Sequence, residues 1–253
     1  MRDLDLDTDS NSPGGLDTAV LDDPVGASLA GAHAHLARRR GRAVRYDPEV
    51  AGFSSVGVRP GAGAWDDLAG LLGAGEFADL FSCPALPPAD WGPEFVLAGH
   101  QLVRVREVRP ALPAGLRVVE LGAADVPEML ALVERTRPGP FRPRTRELGT
   151  YLGVRDGDGD GDDGDGGGAL LAMAGERLRP PGFTEVSAVC TAPEARGRGL
   201  AAHLVGELAA RIGARGERPF LHVAAANTGA LALYERLGFV RRADVVFRGF
   251  RVP

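Results

Sequence analysis

The segment RGRGLA, Arg196 to Ala201, sits between a strand-like run, TEVSAVCT, and the start of an amphipathic helix. Gly197 and Gly199 let the backbone turn sharply and approach a ligand closely. The N–H groups of the first helical turn, at Leu200, Ala201 and Ala202, have no partner within the helix and point at one spot. Arg196 and Arg198 add charge-assisted donors. Together these groups form an anion cradle suited to a pyrophosphate. Glycines at both intervening sites argue against a simple solvated charge run.

A second stretch, DGDGDGDDGDGG at residues 156–167, carries six aspartates in its first ten positions. Asp156, Asp158, Asp160 and Gly161 match the opening D-x-D-x-D-G of a calcium-binding EF-hand loop. The match stops there: a twelve-residue loop from Asp156 ends on Gly167, where that site needs a bidentate Glu, and no helix pattern adjoins it. The stretch therefore reads as a hairpin insertion over residues 155–168, held open by charge and glycine entropy, and no metal is expected. Cys83 and Cys190 are too few for a disulfide framework or a zinc quartet, and buried free thiols are expected of them rather than a single pairing. Cys190 has no placed His or Asp partner, His203 and His222 read as structural, and His33 with His35 are too isolated for a metal site. All 29 basic residues are Arg, which excludes a Walker-type phosphate loop, a Schiff-base lysine and a Ser–Lys pair.

The elements that would hold these groups come from 253 residues, 44% of them hydrophobic, enough for a buried core. The net charge is −5, with acid concentrated in the first 23 residues and in 156–165, which argues against a nucleic-acid-binding face. MRDLDLDTDS has neither a basic nor an apolar signal region, and no apolar run approaches the ~18 residues of a membrane span, so a cytoplasmic location is expected. Residues 1–24, with seven Asp against one Arg, suit a disordered acidic tail. Residues 25–112 form an N-terminal α/β segment of unknown role. Helix-like Ser28–Arg40 and Trp65–Leu72 alternate there with strand-like Phe77–Phe81 and Phe95–Val105, and RPALPAG marks a domain boundary. No catalytic motif stands out in it. From Leu116 the pattern sharpens. A strand LRVVEL precedes a helix ADVPEMLALVERT, a shorter helix over Arg144–Leu152, and two strands, YLGVRD and ALLAMAGERL. After TEVSAVCT, a helix sets Leu200, Leu204, Leu208 and Ile212 on one ridge. A strand PFLHVA, a short helix stopped by Gly238, and one or two strands in FVRRADVVFRGF complete the chain.

Two cofactor classes use such a cradle. Gly197, Gly199 and Ala202 satisfy the dinucleotide fingerprint G-x-G-x-x-A. In that fold, however, the first glycine follows its strand almost at once and an acid ends the next strand. Here Thr191 to Arg196 intervene, and PFLHVA runs into AAANTG without an acid, so an NAD-linked oxidoreductase is disfavoured. R-x-x-G-x-A, with Arg196, Gly199 and Ala201, instead resembles the pyrophosphate motif of the GCN5-related N-acetyltransferase (GNAT) superfamily. NTGALALYERLGF, with Asn227, Tyr234 and the Gly238–Phe239 pair, is similar to that superfamily's second CoA-binding element. The resemblance runs from about Leu116 to the C-terminus and is closest to the FR47-like branch.

The resemblance implies a mixed α+β GNAT fold over 116–253: a splayed mixed central sheet flanked by helices, opening near TEVSAVCT as a cofactor groove. Residues 25–112 would then be either a degenerate copy of that fold or a substrate-shaping lid. It implies direct acetyl transfer from acetyl-CoA to a primary amine, without a covalent enzyme intermediate or a metal. The acceptor stays open among a small amine, an amino acid, an antibiotic and a protein terminus, the FR47-like branch pointing toward a small molecule; acyl-chain preference and oligomeric state stay open too. The pantetheine arm would pair with the backbone of Val189, Cys190 and Thr191, where an N–H would polarise the thioester carbonyl. By position, Glu185 would be the general base and Tyr234 the acid that protonates the departing thiolate. Glu185 could equally face solvent, Asn227 serve as a helix cap, and Tyr234 be a core aromatic. A CoA-binding sensor or scaffold that has lost catalysis is the remaining alternative.

Overall fold

The computed structural model of the chain describes residues 17–157 and 168–253. Strands β1 (Ala37–Arg40), β2 (Ala43–Tyr46) and β3 (Ser54–Ser55) form a small sheet beside helices α1 (Pro24–Ala30) and α2 (Ala64–Leu72). The framework is larger. It contains β4 (Phe77–Leu80), β5 (Gly92–Arg104), β6 (Leu116–Glu120), β7 (Tyr151–Asp156), β8 (Leu170–Glu176), β9 (Phe183–Thr191), β10 (Arg218–Ala224) and β11 (Phe239–Arg251). Among the described residues these form one sheet in the order β4-β11-β5-β10-β9-β8-β7-β6. Helices α3 (Val126–Thr136), α4 (Leu200–Ala214) and α5 (Thr228–Arg236) complete the elements.

The boundary expected at 112–116 does not divide the sheet. β5, from the N-terminal segment, lies between β10 and β11 and pairs antiparallel with both, from Phe220↔Val103 to Ala224↔Gly99 on one side and from Phe239↔Arg104 onward on the other. Adjacent residues on a strand face opposite sides. Leu102 and Leu221 accordingly join the core beneath α3 and α4, whereas Val103 and Phe220 join a second core with Leu21, Val25, Leu29, Tyr46 and Phe53. The N-terminal segment thus covers the sheet face that the C-terminal helices leave bare.

The parallel pairing of β9 with β10 opens the sheet. β9 and β10 are in register only over Phe183↔Arg218, Pro219↔Thr184 and Phe220↔Glu185, then diverge. One register step later, β9 carries a β-bulge against β8: Met173 faces Cys190 but Gly175 faces Ser187, so β9 spends an extra residue. Ala188, within that stretch, has φ +51°, a left-handed conformation that non-glycine residues rarely adopt.

α4 keeps the expected ridge, with Leu200, Leu204, Leu208 and Ile212 buried. Other local expectations change. Gly31 ends α1, and Ala37–Arg40 turns back through Gly41 (φ +49°) to pair with β2, so Ser28–Arg40 is a short helix plus a strand. Arg144–Leu152 is a 3-10 turn, Thr145–Leu148, because Tyr151 already belongs to β7. FVRRADVVFRGF is one strand that accommodates Arg242 in a bulge. Of the 1–24 tail, residues 1–16 lie outside the described residues, while Thr18–Asp22 forms a 3-10 turn that buries Leu21. In the 155–168 insertion, residues 158–167, including most of the EF-hand-like match, also lie outside the described residues. Among the described residues no helix is long and apolar enough to cross a membrane.

Gly238 joins the two halves. Its carbonyl accepts from the N–H groups of Val105 and Arg106, at φ +86°, and a Cβ there would lie 2.2 Å from the Arg106 carbonyl oxygen. Gly238→Ala therefore meets backbone strain and a backbone clash together. We expect a loss of about 1–3 kcal/mol, seen as a fall in melting temperature of roughly 2–4 °C per kcal/mol.

Candidate active site

The turn before α4 is left-handed at both of its glycines. Gly197 and Gly199 have φ of +77° and +78°, and no atom lies within 4 Å of a Cβ built on either. Glycine is needed here for backbone conformation, and the space in front is open. Gly199 caps α4 without a side chain, and the first intrahelical bond runs from His203 N–H to the Gly199 carbonyl. The N–H groups of Leu200, Ala201 and Ala202 are therefore left without helical partners. Arg196 is exposed, its Nε 3.4 Å from the Thr191 carbonyl.

These residues border a cavity of about 840 Å³ that reaches from Arg196, Gly197 and Gly199, past Leu200, Ala201 and Ala202, to Val189, Cys190, Thr191 and Tyr234. Val108 and Pro110, from the connection after β5, supply another wall. Arg198 and Asn227 do not line it. Arg198 is exposed beside it, and Asn227 caps α5 by accepting the Ala230 N–H at 3.1 Å. Cys190 is buried and free, and burial pushes its thiol up to about 11, so it is a packed side chain rather than a thiolate nucleophile.

A second cavity, about 250 Å³, occupies the wedge where β9 and β10 diverge. It shares Pro138, Val189 and Tyr234 with the first, so the two spaces meet at the bulge of β9. Tyr234 has a hydroxyl without a hydrogen-bond partner among the described residues, and burial raises its pKa to about 12. At neutral pH it holds its proton at the junction.

Glu185 lines neither cavity. It is fully buried, and Arg177 grips it with two hydrogen bonds, Nε to Oε2 at 2.8 Å and Nη2 to Oε1 at 2.6 Å. His222 Nδ1 lies 2.7 Å from Oε1. Gln101 Nε2 meets the other ring nitrogen of His222 at 3.1 Å; since an amide nitrogen only donates, His222 Nε2 accepts and Nδ1–H donates to Glu185. Gln101 also donates to the Leu21 carbonyl and accepts from Arg242, which pairs with Asp22. This chain of polar contacts ties the N-terminal turn to β5, β10 and β9. The Arg177 guanidinium in addition stacks over Phe81 at 4.4 Å and Phe53 at 5.1 Å.

Protonation follows from this setting. Burial opposes the charge on Glu185, but the Arg177 charge and the hydrogen bonds from Arg177 and His222 outweigh it and hold the carboxyl at about 2. Burial is the leading influence on His222 and lowers its pKa despite Glu185. A His held neutral stabilises the fold above its unfolded pKa of about 6.5 and loses that contribution as pH falls below it. A carboxyl held low stabilises above about 4.3 and loses that contribution as pH falls through its folded value. Melting temperature should thus decline in two stages, first below about pH 6.5 and again between roughly pH 4.5 and 2. His33, which burial holds at about 4, adds to the first stage, and Asp79, raised to about 6, opposes it. Melts followed by circular dichroism therefore compare the parent with His222→Gln, and an equal change from pH 7 to 5 in both would remove His222 from the account.

Sequence reasoning did not find Arg177, Asp79, Ala188 or the phenylalanines of the second cavity, Phe53, Phe81, Phe95 and Phe247. Asp79 alone left a trace, as a single acid within the apolar run FADLF.

A family model for FR47-like protein matches residues 166–247. A crystal structure named as an acetyltransferase from the GNAT family, from Novosphingobium aromaticivorans, is similar at 39% identity over 92% of this chain and 99% of that one, with a TM-score of 0.78. A GCN5-related N-acetyltransferase from Kribbella flavida shares the fold, with a TM-score of 0.59 at 18% identity over 92% of this chain and 95% of that one. No curated protein sequence matches. The first likeness runs through both halves of the sheet and the cradle between them, and on that ground the chain belongs to the GNAT family of acetyltransferases.

Proposed function

We propose that the protein transfers an acetyl group from acetyl-CoA to the amino group of a small molecule, in a ternary complex. The observation that carries this reading is the meeting of two cavities at the β9 bulge, one reaching the anion cradle and the other a smaller wedge walled in part by Phe53, Phe81 and Phe247. The fit of acetyl-CoA rests on the open space before Gly197 and Gly199 and on the unpaired N–H groups of Leu200, Ala201 and Ala202, which suit a pyrophosphate. Bound there, acetyl-CoA would supply an activated acetyl thioester.

The chain's own groups then divide the work. Arg196 and the first turn of α4 would hold the phosphates. The β9 backbone over Val189–Thr191 runs along the cavity and would orient the arm, and the bulge at Ala188 frees backbone polar groups beside the junction. An N–H in that position stabilises charge developing on the thioester oxygen. Tyr234 Oη would give its proton to the departing sulfur. Glu185 is a poor proton acceptor in this setting, because three hydrogen bonds from Arg177 and His222 already satisfy its charge. Its role would be to keep Arg177 in place behind the second cavity. The second cavity takes Phe53, Asp79, Phe81 and Phe95 from the N-terminal segment, which favours a substrate-shaping role for that segment over a degenerate copy of the fold.

Gly199→Glu tests the cofactor assignment. A Cβ at this position meets no atom within 4 Å and faces open space, so the fold should survive with about 1–2 kcal/mol of backbone strain. A carboxylate in the cradle repels phosphates, and acetyl-CoA affinity by calorimetry should fall on the order of 100-fold or more. Unchanged affinity in a folded variant would place the cofactor elsewhere.

A further inference from the structure

The second cavity contains two charged side chains, and only one of them has an ion-pair partner. Arg177 is matched by Glu185. Asp79, on β4, is 8% exposed and lines the cavity, yet among the described residues no donor hydrogen-bonds to it and no cationic nitrogen lies within 4 Å. Arg142 acts on Asp79 only through its field; it is held by the Pro48 carbonyl and does not line the cavity. Burial pushes the Asp79 carboxyl up to about 6 against the fields of Arg177 and Arg142, which leaves it largely ionised at neutral pH with no cation in contact. A buried charge in that condition is costly unless something arrives to pair with it.

The position of Asp79 indicates which part of a ligand it would meet. Pro138, Val189 and Tyr234 face both cavities and so mark the end at which acetyl transfer would occur. Asp79, Phe53 and Phe81 face only the second cavity, away from that end. Between the ends runs an apolar wall. Phe81 stacks on Phe247 with ring centres 4.9 Å apart, and His222 meets Phe81 edge-on at 4.8 Å. Phe95 and Leu97, each more than 40% exposed, stand at its rim. At about 250 Å³ the space lies below the ~300–1,000 Å³ of sites for drug-sized ligands.

We propose that the acceptor is a small diamine or similar dication with an apolar, flat middle, its reacting nitrogen near Tyr234 and its second cation paired with Asp79. This rests on the reading of the chain as an amine acetyltransferase and adds to it the class of acceptor. The aromatic wall suits such a ligand, since ring faces attract ammonium groups as well as apolar surface.

The test uses three ligands with one frame: 1,4-bis(aminomethyl)benzene, 4-methylbenzylamine and 4-(aminomethyl)benzoate, which place an ammonium, a methyl or a carboxylate at the far end. Their affinities for the full chain in the presence of a saturating non-transferring CoA are measured by calorimetry, with thiol release from acetyl-CoA as a second readout. The diamine should bind at least about tenfold more tightly than the methyl compound, and more tightly still than the carboxylate. Asp79→Asn should bring the first two within about threefold of each other while leaving acetyl-CoA affinity unchanged. Equal affinities in the parent protein, a preference for the carboxylate, no binding of any of the three, or a diamine preference that survives Asp79→Asn would each overturn the proposal. The comparison within the parent protein stands even if the variant misfolds. Failure of acetyl-CoA itself to bind would defeat the acetyltransferase reading instead, and the two failures are separately visible.

Discussion

Glu185→Gln is expected to lower the melting temperature by roughly 6–20 °C, more than any single change discussed for the cofactor cradle. The substitution keeps size and shape but removes the charge that matches a buried guanidinium. Breaking a buried pair by removing one partner costs about 3–5 kcal/mol, because the other charge is left uncompensated. Arg177 has little chance of relief: its planar group is already stacked over Phe53 and Phe81, and it cannot shed its proton. The same variant distinguishes two roles for Glu185. A general base would show its loss in turnover with the melting temperature nearly unchanged, whereas the anchor described above shows it in stability first. Replacing both partners by apolar residues of similar volume, Arg177→Met with Glu185→Leu, should recover much of the lost stability, since neither desolvated charge then remains.

The cradle was legible because its chemistry is local. Arg196 to Ala202 need only a strand before them, a helix after them and two glycines, and all of these are written within about twenty residues. The order of elements after Leu116 was legible for the same reason: each strand and helix carries its own period. The position of β5 was not. A strand's apolar pattern states that it is buried but not between which neighbours, and Gly92–Arg104 pairs with strands more than a hundred residues away. Asp79 enters the site through the equally distant pairing of β4 with β11 and Phe53 through its bridge to Asp79, so a search for motifs in the N-terminal half finds nothing. Glu185 shows a different limit. Its spacing from Arg196 was visible, but its neighbours Arg177 and His222 come from the turn before it and from β10, and these decide whether a carboxylate is free to take a proton. The bulge at Ala188 left no signal, because Ala has no preference for the left-handed conformation that it adopts there.

Tyr234→Phe is expected to reduce the rate of acetyl transfer by about 10²–10⁴-fold while acetyl-CoA binding and stability stay close to those of the parent. The separation of these effects follows from the setting of the hydroxyl. It has no hydrogen-bond partner among the described residues, so its removal strands no buried donor or acceptor, and the ring keeps its edge contact with Phe239 at 6.0 Å. What is lost is a proton held where the two cavities meet. Burial keeps the phenol protonated at neutral pH, and it stands where the departing sulfur would leave. The dependence on leaving group makes the assignment specific. With an acetyl thioester of a more acidic thiol, the departing sulfur needs less proton donation, and the defect of Tyr234→Phe should shrink toward the parent rate. A defect of constant size across thioesters would mean that the hydroxyl orients the substrate instead of protonating the sulfur. No defect at all would make Tyr234 a core aromatic and shift the search for the acid to other groups that border both cavities.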